Sequence, residues 1–206
     1  LHPNRFAPNP EIKKKYISEE KYCLLRLAGL TAYHDKGIKG LNDTLVKNII
    51  SSITNKGFKV FISSEEELDS QFAEYHLKIN HKDIHHVLSY ASLLISDSQS
   101  MSVEAAMLGV PSIRFSDFTG RISVLEELEQ KYHLTFGVRT CESEKLLKLT
   151  DEILSDSKSH KLFKSCRSKM LVDKIDVTGF LVWFIENYPE SVTIMKKTSW
   201  FQLKFK

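Results

Sequence analysis

The most informative polar residues lie at positions 93–115, in the segment LLISDSQSMSVEAAMLGVPSIRF. The apolar run Leu93–Ser96 predicts a buried strand, and the pattern over Met101–Leu108 predicts a helix that a glycine ends. In an open parallel sheet, ligands bind at the carboxyl ends of strands, where the N-terminus of a following helix offers N–H groups to phosphate. Asp97 and the hydroxyls of Ser98 and Ser100 lie between these two elements, so this segment, with Asp97 among its binding residues, is a candidate diphosphate site.

Glu104 comes about one turn into the same helix. From there its carboxylate can accept two hydrogen bonds from a vicinal diol such as a ribose. Asp97, Ser98 and Ser100 can equally serve as caps of a purely structural helix. The residues alone therefore leave a helix cap and a ligand site equally open.

A second polar cluster follows the apolar run Tyr22–Leu27, which predicts another strand. Two cations in it can neutralise a diphosphate, and its histidine can donate to that group or act as an acid or base. The alternative is a solvated loop whose glycines form turns. The candidate binding residues are Arg26, Lys36 and Gly37, and the candidate catalytic residues are His34 and Asp35.

Two further groups of polar residues are weaker candidates. Ser63 ends the predicted strand Phe58–Ser63 and Glu65 follows it, and these residues either cap a helix or line the cleft at the same sheet edge. His81 and His85 have the spacing of a two-histidine metal site, but no third ligand is evident, so we expect a structural or surface role and no metal.

Length and composition restrict the class of protein. The chain has 206 residues, of which 42% are apolar and 27% charged, as expected for one globular domain. No apolar run approaches the roughly 20 residues of a membrane span. The net charge of +3 is spread along the chain, so we expect no nucleic-acid partner. Three cysteines far apart favour a reducing compartment, the cytoplasm.

Strand and helix patterns alternate along the sequence, which predicts βαβ units, a parallel sheet and an α/β fold. The alternative is an α+β arrangement with an antiparallel edge strand. Beyond the elements above, we predict helices over Gly40–Asn55, Glu65–Tyr75, Ile84–Ala91 and Ile122–Tyr132, strands over Ser112–Phe115 and Leu134–Val138, and mostly helix from Ser143 onward.

The residues Asp97 to Pro111 form the run D-S-x-x-x-x-x-E-A-x-x-L-G-x-P. This run resembles the carboxyl-terminal domains of UDP-N-acetylglucosamine 2-epimerases and type B glycosyltransferases. The resemblance implies that Ser98, Gln99 and Ser100, followed by Met101, face the diphosphate and that Glu104 holds the ribose. One departure is that Gln99-Ser100 replaces the usual pair of glycines. The implied fold is a Rossmann-like parallel sheet flanked by helices, one half of a type B glycosyltransferase architecture.

A resemblance over most of the chain is carried by HPNRFAPNP, RLAGLTAYHDKGIKG, VFISSE and HKDIHHVLSYASLLISDSQSMSVEAAMLGVP. These segments are similar to an uncharacterised prokaryotic family with the same two-domain fold, often linked with surface-polysaccharide synthesis. The resemblance implies an interdomain linker leading into the domain at 1–20, a nucleotide-sugar-binding domain at 21–170, and a C-terminal helix and tail at 171–206. It also implies that His81 and Ile84 frame the nucleobase.

The leading hypothesis is therefore the donor half of a glycosyltransferase- or epimerase-like enzyme that binds a nucleotide sugar, with UDP-sugar favoured and no cofactor. An N-terminal domain outside this sequence would supply most contacts to an unidentified acceptor. The alternative is a non-catalytic nucleotide-binding or scaffolding module that retains the fold. The segment 193–206 mixes lysines with aromatic residues, which fits either an arm packed on protein or a peripheral membrane contact.

Overall fold

A five-stranded parallel sheet is the centre of the larger of two structural units. The computed structural model describes residues 1–29 and 40–206. The larger unit contains Pro3–Arg167, and the smaller contains Ser168–Lys206. Every pair of neighbouring strands is parallel, in the order β2-β1-β3-β4-β5. The strands are β1 (Tyr22–Leu27), β2 (Lys59–Ser64), β3 (Leu93–Ser96), β4 (Ser112–Phe115) and β5 (Thr135–Val138).

Helices of the larger unit cover both faces of this sheet. The α-helices are α1 (Pro10–Tyr16), α2 (Asp43–Thr54), α3 (Ile84–Leu88), α4 (Gln99–Leu108), α5 (Ser123–Gln130), α6 (Ser143–Ser155), α7 (Ser159–Asp173), α8 (Val177–Glu186) and α9 (Glu190–Lys197). Short 3-10 helices span Ser70–Tyr75, His81–Asp83 and Ser199–Phe205. The predicted α/β class with a Rossmann-like parallel sheet is confirmed, and the antiparallel alternative is wrong for the described strands.

Two apolar cores result from the alternation of side chains along the strands. One core lies against α2 and α6 and includes Leu25, Ile95 and Ile113. The other lies against α3 and α4 and includes Leu24 and Leu94. Because both faces of the sheet are covered, the strands are apolar along nearly their whole length. The polar residues of the sheet are therefore concentrated where the strands end.

The strand order reverses between β1 and β3, because β2 lies on one side of β1 and β3 on the other. Arg26 near the end of β1 is in register with Ser63 of β2 and Ser96 of β3. The three carboxyl ends therefore meet at one edge. In open α/β sheets, the crevice at such a reversal is where ligands bind.

For two of the predicted helices, hydrogen bonds explain the difference from the structure. The helix predicted over 40–55 begins at Asp43, because Asn42 is its N-cap and accepts a hydrogen bond from the amide of Leu45 at 2.9 Å. The helix predicted over Glu65–Tyr75 is wrong, since only Ser70–Tyr75 forms a short 3-10 helix. The carboxylate of Glu65 instead binds the end of β1, which fixes this stretch as a connection.

Part of the segment predicted as a linker, 1–20, is ordered against α3. Phe6 packs on His86 with ring centroids 4.8 Å apart, and the amide of Asn9 donates to Nδ1 of His86 at 3.0 Å. The hydroxyl of Tyr16 donates to Asp83 at 2.6 Å. Helix α1 begins at Pro10, where a proline loses no helical hydrogen bond.

The smaller unit is built around aromatic side chains. Trp183 of α8 stacks on Phe201 with centroids 4.5 Å apart, and Phe180 meets Phe205 edge-on at 5.7 Å. The other side of α8 is exposed and apolar. Within the described residues, no helix has the length and apolar character needed to cross a membrane.

Candidate functional site

A cleft of about 330 Å³ lies at the sheet edge where β1, β2 and β3 end. It is bounded by the ends of β1 and β2, the segment before α3, and the first turns of α4. Nine of the predicted site residues line it: Arg26, Ser63, Glu65, His81, Ile84, Ser98, Ser100, Met101 and Glu104. The structure therefore brings together residues that are up to 78 positions apart in the sequence.

Arg26 is held on the β2 side of the cleft. Its Nη1 donates to the hydroxyl of Ser63 at 2.8 Å, and its Nη2 donates to Oε1 of Glu65 at 2.7 Å. The other oxygen of Glu65 accepts from the amide of Gly29 at 3.1 Å. The pKa of Glu65 lies below its ordinary value, first because of the Gly29 amide and also because of the Arg26 guanidinium. Glu65 is therefore bound as an anion at the end of β1.

Asp97 does not line the cleft. Its side chain is buried, and its two oxygens accept from the amides of Ala28 at 2.7 Å and Leu41 at 3.2 Å. Burial raises the pKa of Asp97, and hydrogen bonds from these two amides oppose that shift. Asp97 thus joins the end of β3 to both ends of the connection between β1 and α2.

The first turn of α4 faces the cleft with small hydroxyl residues. Ser98 is the N-cap, but within the described part of the chain its side chain makes no capping hydrogen bond. Instead, its hydroxyl lies 3.2 Å from that of Ser100. The prediction that the side chains of Asp97 and Ser98 cap α4 is therefore wrong. The N–H groups of its first turn receive no hydrogen bond from the Ser98 side chain. Such a helix terminus favours an anion.

Gln99 replaces a glycine of the resembling families and does not line the cleft. Its Nε2 donates to the carbonyl of Asp97 at 3.2 Å. The longer side chain is thus folded back on the turn between β3 and α4. Ser100, which replaces the second glycine, is exposed beside the cleft.

Glu104 lies opposite a histidine of α3. Its Oε2 is 3.2 Å from Nε2 of His85, without the geometry of a hydrogen bond to that nitrogen. The ring of His85 also meets Phe6 edge-on at 6.1 Å. About a third of the Glu104 side chain is exposed, which leaves its carboxylate accessible to a ligand hydroxyl.

Other residues of the cleft were not among the predicted binding residues. His85, Ser64 and Lys78 line it. From the spacing of His81 and His85 the sequence predicts a structural or surface role for the pair, and it does not reveal the proximity of His85 to Glu104. Among the described residues, no three histidine, cysteine or acidic side chains gather as metal ligands. His34, Asp35, Lys36 and Gly37 lie outside the described residues.

The fold built around this sheet is similar to that of solved glycosyltransferases. The glycotransferase of kitacinnamycin aligns with a TM-score of 0.50 and 12% identity over 74% of this chain and 39% of its own. UGT71G1 of Medicago truncatula, solved with UDP-glucose, aligns with a TM-score of 0.50 and 14% identity, over 85% and 43%. A Listeria monocytogenes protein described as a UDP-N-acetylglucosamine 2-epimerase gives a TM-score of 0.48 and 18% identity, over 79% and 42%.

The two alignments at a TM-score of 0.50 support the fold. The chain spans about two fifths of the length of these structures. It has the α/β fold that forms one half of type B glycosyltransferases, as the sequence predicts. No protein-family model and no curated protein matches the sequence.

Proposed function

We propose that the chain is the donor half of a glycosyltransferase- or epimerase-like enzyme and that its cleft binds a nucleotide sugar, favouring a UDP-sugar. The observation that carries this proposal is the convergence of Arg26, the uncapped first turn of α4 and Glu104 on one cleft at the reversal of strand order. A cation and a helix N-terminus suit a diphosphate, and the partly exposed carboxylate of Glu104 suits a ribose diol.

In this proposal the chemistry is positioning and charge stabilisation of the departing nucleoside diphosphate. The Ser98 amide already donates to the hydroxyl of Ser96 at 2.8 Å, so the Ser100 amide in the first turn of α4 and the guanidinium of Arg26 would oppose its negative charge. His81 and Ile84 would contact the nucleobase. His34 and Asp35 remain the proposed catalytic residues, with Lys36 and Gly37 as further diphosphate contacts. No metal or cofactor is required by this arrangement.

A second half would complete the enzyme. The coverage of about two fifths of each neighbouring structure supports an N-terminal domain that contributes the acceptor site. We place the enzyme in the cytoplasm, in surface-polysaccharide synthesis. Free thiols at Cys23, Cys141 and Cys166 fit a reducing compartment. Gln99 and Ser100 at the glycine positions favour the alternative of a binding module without turnover.

The test is calorimetric titration of the chain with UDP, UDP-N-acetylglucosamine and GDP. We expect saturable binding of a uridine nucleotide. Glu104→Ala should weaken it about tenfold, because it removes a charged acceptor of the ribose hydroxyls. The matched control is Glu152→Ala, which removes an exposed glutamate of α6 outside the cleft and should leave the affinity unchanged.

Each outcome bears on the proposal. Binding of GDP in preference to UDP would support the donor-half proposal but would make guanine, not uracil, the recognised nucleobase. No binding of any nucleotide at millimolar concentration would contradict the proposal for this chain. Equal weakening by both glutamate variants would show an effect of net charge and would remove Glu104 from the site.

The exposed apolar surface of the smaller unit supports a second role, contact with an anionic lipid surface. Large apolar side chains are exposed at Val172, Val177, Leu181, Val182, Ile185, Tyr188, Trp200 and Leu203. From Ser191 to Lys206 the sequence contains four lysines and no acidic residue. Apolar and aromatic residues beside lysines suit an anionic membrane surface, whereas the cores of protein interfaces are depleted of lysine.

Vesicle flotation tests this contact. The chain should float with vesicles containing phosphatidylglycerol and much less with phosphatidylcholine alone. Leu181→Glu with Ile185→Glu should abolish flotation, while Leu162→Glu, an equally exposed leucine of α7, should not. Dimerisation that the first pair of substitutions breaks, without flotation, would assign the surface to a protein contact instead.

A further inference from the structure

Glu65 is held at the end of β1 in the manner of a bound anion. One carboxylate oxygen accepts from Nη2 of Arg26 at 2.7 Å, and the other accepts from the backbone amide of Gly29 at 3.1 Å. These two donors come from the same sheet edge, and both Arg26 and Glu65 line the cleft. A guanidinium beside a backbone N–H is also a suitable donor set for a phosphate oxygen.

Arg26 does not depend on Glu65 alone for its position. Only 15% of the Arg26 side chain is exposed, and its Nη1 is anchored separately by the hydroxyl of Ser63 at 2.8 Å. Nε of Arg26 is buried and has no hydrogen-bond partner among the described residues. The guanidinium is therefore already positioned and has unused donor capacity.

Glu65, in contrast, is free to leave. Its side chain is 48% exposed, so the carboxylate can rotate into water and be solvated there. Its neighbour Glu66 also approaches Gly29, since a Cβ atom built on Gly29 would lie 3.2 Å from Oε1 of Glu66. Two carboxylates thus lie near the same amide, but Glu65 is the one that accepts its hydrogen bond.

We propose that Arg26 and the Gly29 amide form an anion site for an acidic group of the ligand, and that the Glu65 carboxylate is a built-in competitor that this group displaces. The inference rests on the proposed nucleotide-sugar cleft and adds a step to binding there. A phosphate bearing two charges competes well with a single carboxylate, whereas a weakly charged anion competes poorly. Glu65 therefore makes the cleft selective for phosphate groups of high charge.

The experiment compares Glu65→Gln with Glu66→Gln by titration with inorganic pyrophosphate and with UDP. Both substitutions remove one negative charge near Gly29, so the general electrostatic effect is matched. Glu65→Gln should strengthen the binding of both probes about five- to tenfold, because the ligand no longer breaks a charged pair. Glu66→Gln should change the affinity less than about twofold. Adding Arg26→Ala to Glu65→Gln should abolish the gain.

The outcomes separate this inference from the proposed function. Equal affinities in the two glutamine variants, with UDP still bound, would overturn the competition and leave the donor site intact. Weaker binding in Glu65→Gln would make Glu65 a ligand contact and would also overturn it. Pyrophosphate binding that depends on Arg26, without binding of any nucleotide, would support the anion site and contradict the nucleotide proposal. Glu65→Ala and thermal melting check that the fold is retained.

Discussion

The two sides of the cleft differ in how their polar groups are satisfied. On the β2 side, Arg26, Ser63, Glu65 and the Gly29 amide are bound to one another. On the α4 side, Ser98 and Ser100 contact each other, and Ser98 leaves the first turn uncapped within the described chain. A ligand can therefore approach α4 without breaking a charged pair, but it must displace a carboxylate to reach Arg26.

Under the proposed function, this difference would give the two sides different roles in binding. The α4 side is the open side, because a ligand reaches the helix dipole there without displacing a protein group, which favours affinity. The β2 side is the closed side, because an anion must displace Glu65 to bind the charge of Arg26, which favours selectivity for highly charged ligands. Asp97 belongs to neither side, since it binds the chain at Ala28 and at Leu41 from the end of β3. Asp97 is therefore an anchor that holds the chain after β1 beside the end of β3.

The largest effect should follow from removing that anchor. Asp97→Ala leaves two backbone amides without their acceptor, so we expect a loss of about 2–4 kcal/mol in the free energy of unfolding, measured with urea. Asp97→Asn keeps one acceptor and turns a donor toward the other amide, so about 1–2 kcal/mol should be lost. A change below about 0.5 kcal/mol for Asp97→Ala would show that the carboxylate does not hold this connection.

A bulky side chain on the open side should have the next largest effect, on binding. Ser100 is exposed beside the cleft, so Ser100→Leu should leave the unfolding free energy within about 0.5 kcal/mol. It should weaken UDP binding at least about tenfold, because the leucine obstructs the approach to α4. The matched variant is Ser64→Leu on the closed side, for which we expect a smaller loss. A larger loss of UDP affinity in Ser64→Leu than in Ser100→Leu would indicate that the diphosphate binds on the β2 side.

The smallest effect concerns the acid sensitivity of the closed side. The pKa of Glu65 lies below its ordinary value of 4.5, so its contribution to stability is complete above that pH and disappears as pH falls through the lowered value. Because Glu65 is half-exposed, this contribution is at most about 0.5 kcal/mol after solvent screening. Wild type should therefore exceed Glu65→Gln in unfolding free energy at pH 6, and the difference should shrink as pH falls below the ordinary value and through the lowered pKa.

The control for this titration is Glu152→Gln, which removes an exposed acid of α6 away from β1. A difference between wild type and Glu65→Gln that widens on acidification would contradict the assigned direction. A difference that Glu152→Gln reproduces would assign it to net charge rather than to the contact with Gly29 and Arg26.

Much of the sheet could be predicted from the sequence. The bounds of β1, β3 and β4 match their predictions, because short apolar runs bounded by polar or turn residues are typical of buried strands. Gly109, at a φ of +73°, ends α4 as predicted, since glycine adopts this conformation without strain. The predicted start of α4 at Met101 is two residues late, because Gln99 and Ser100 carry no apolar periodicity.

The contacts of the site could be predicted only in part. Sequence order and a parallel sheet were enough to bring Arg26, Ser63 and Ser98 to one edge. The pairing of Glu65 with Arg26 and Gly29 was not visible, because it depends on the register between β1 and β2. The same holds for His85 and Glu104, which lie on separate helices, and for Asp97, whose buried partners are backbone amides that no residue type reveals.

The most direct test of the nucleotide-sugar cleft is hydrogen–deuterium exchange with and without saturating UDP. Peptides that cover 96–104, and more weakly those that cover 26–29 and 63–66, should exchange more slowly with UDP, because α4 and the ends of β1 and β2 would contact the ligand. Unchanged exchange in 96–104, or protection confined to 168–206, would contradict a nucleotide site at the carboxyl ends of these strands.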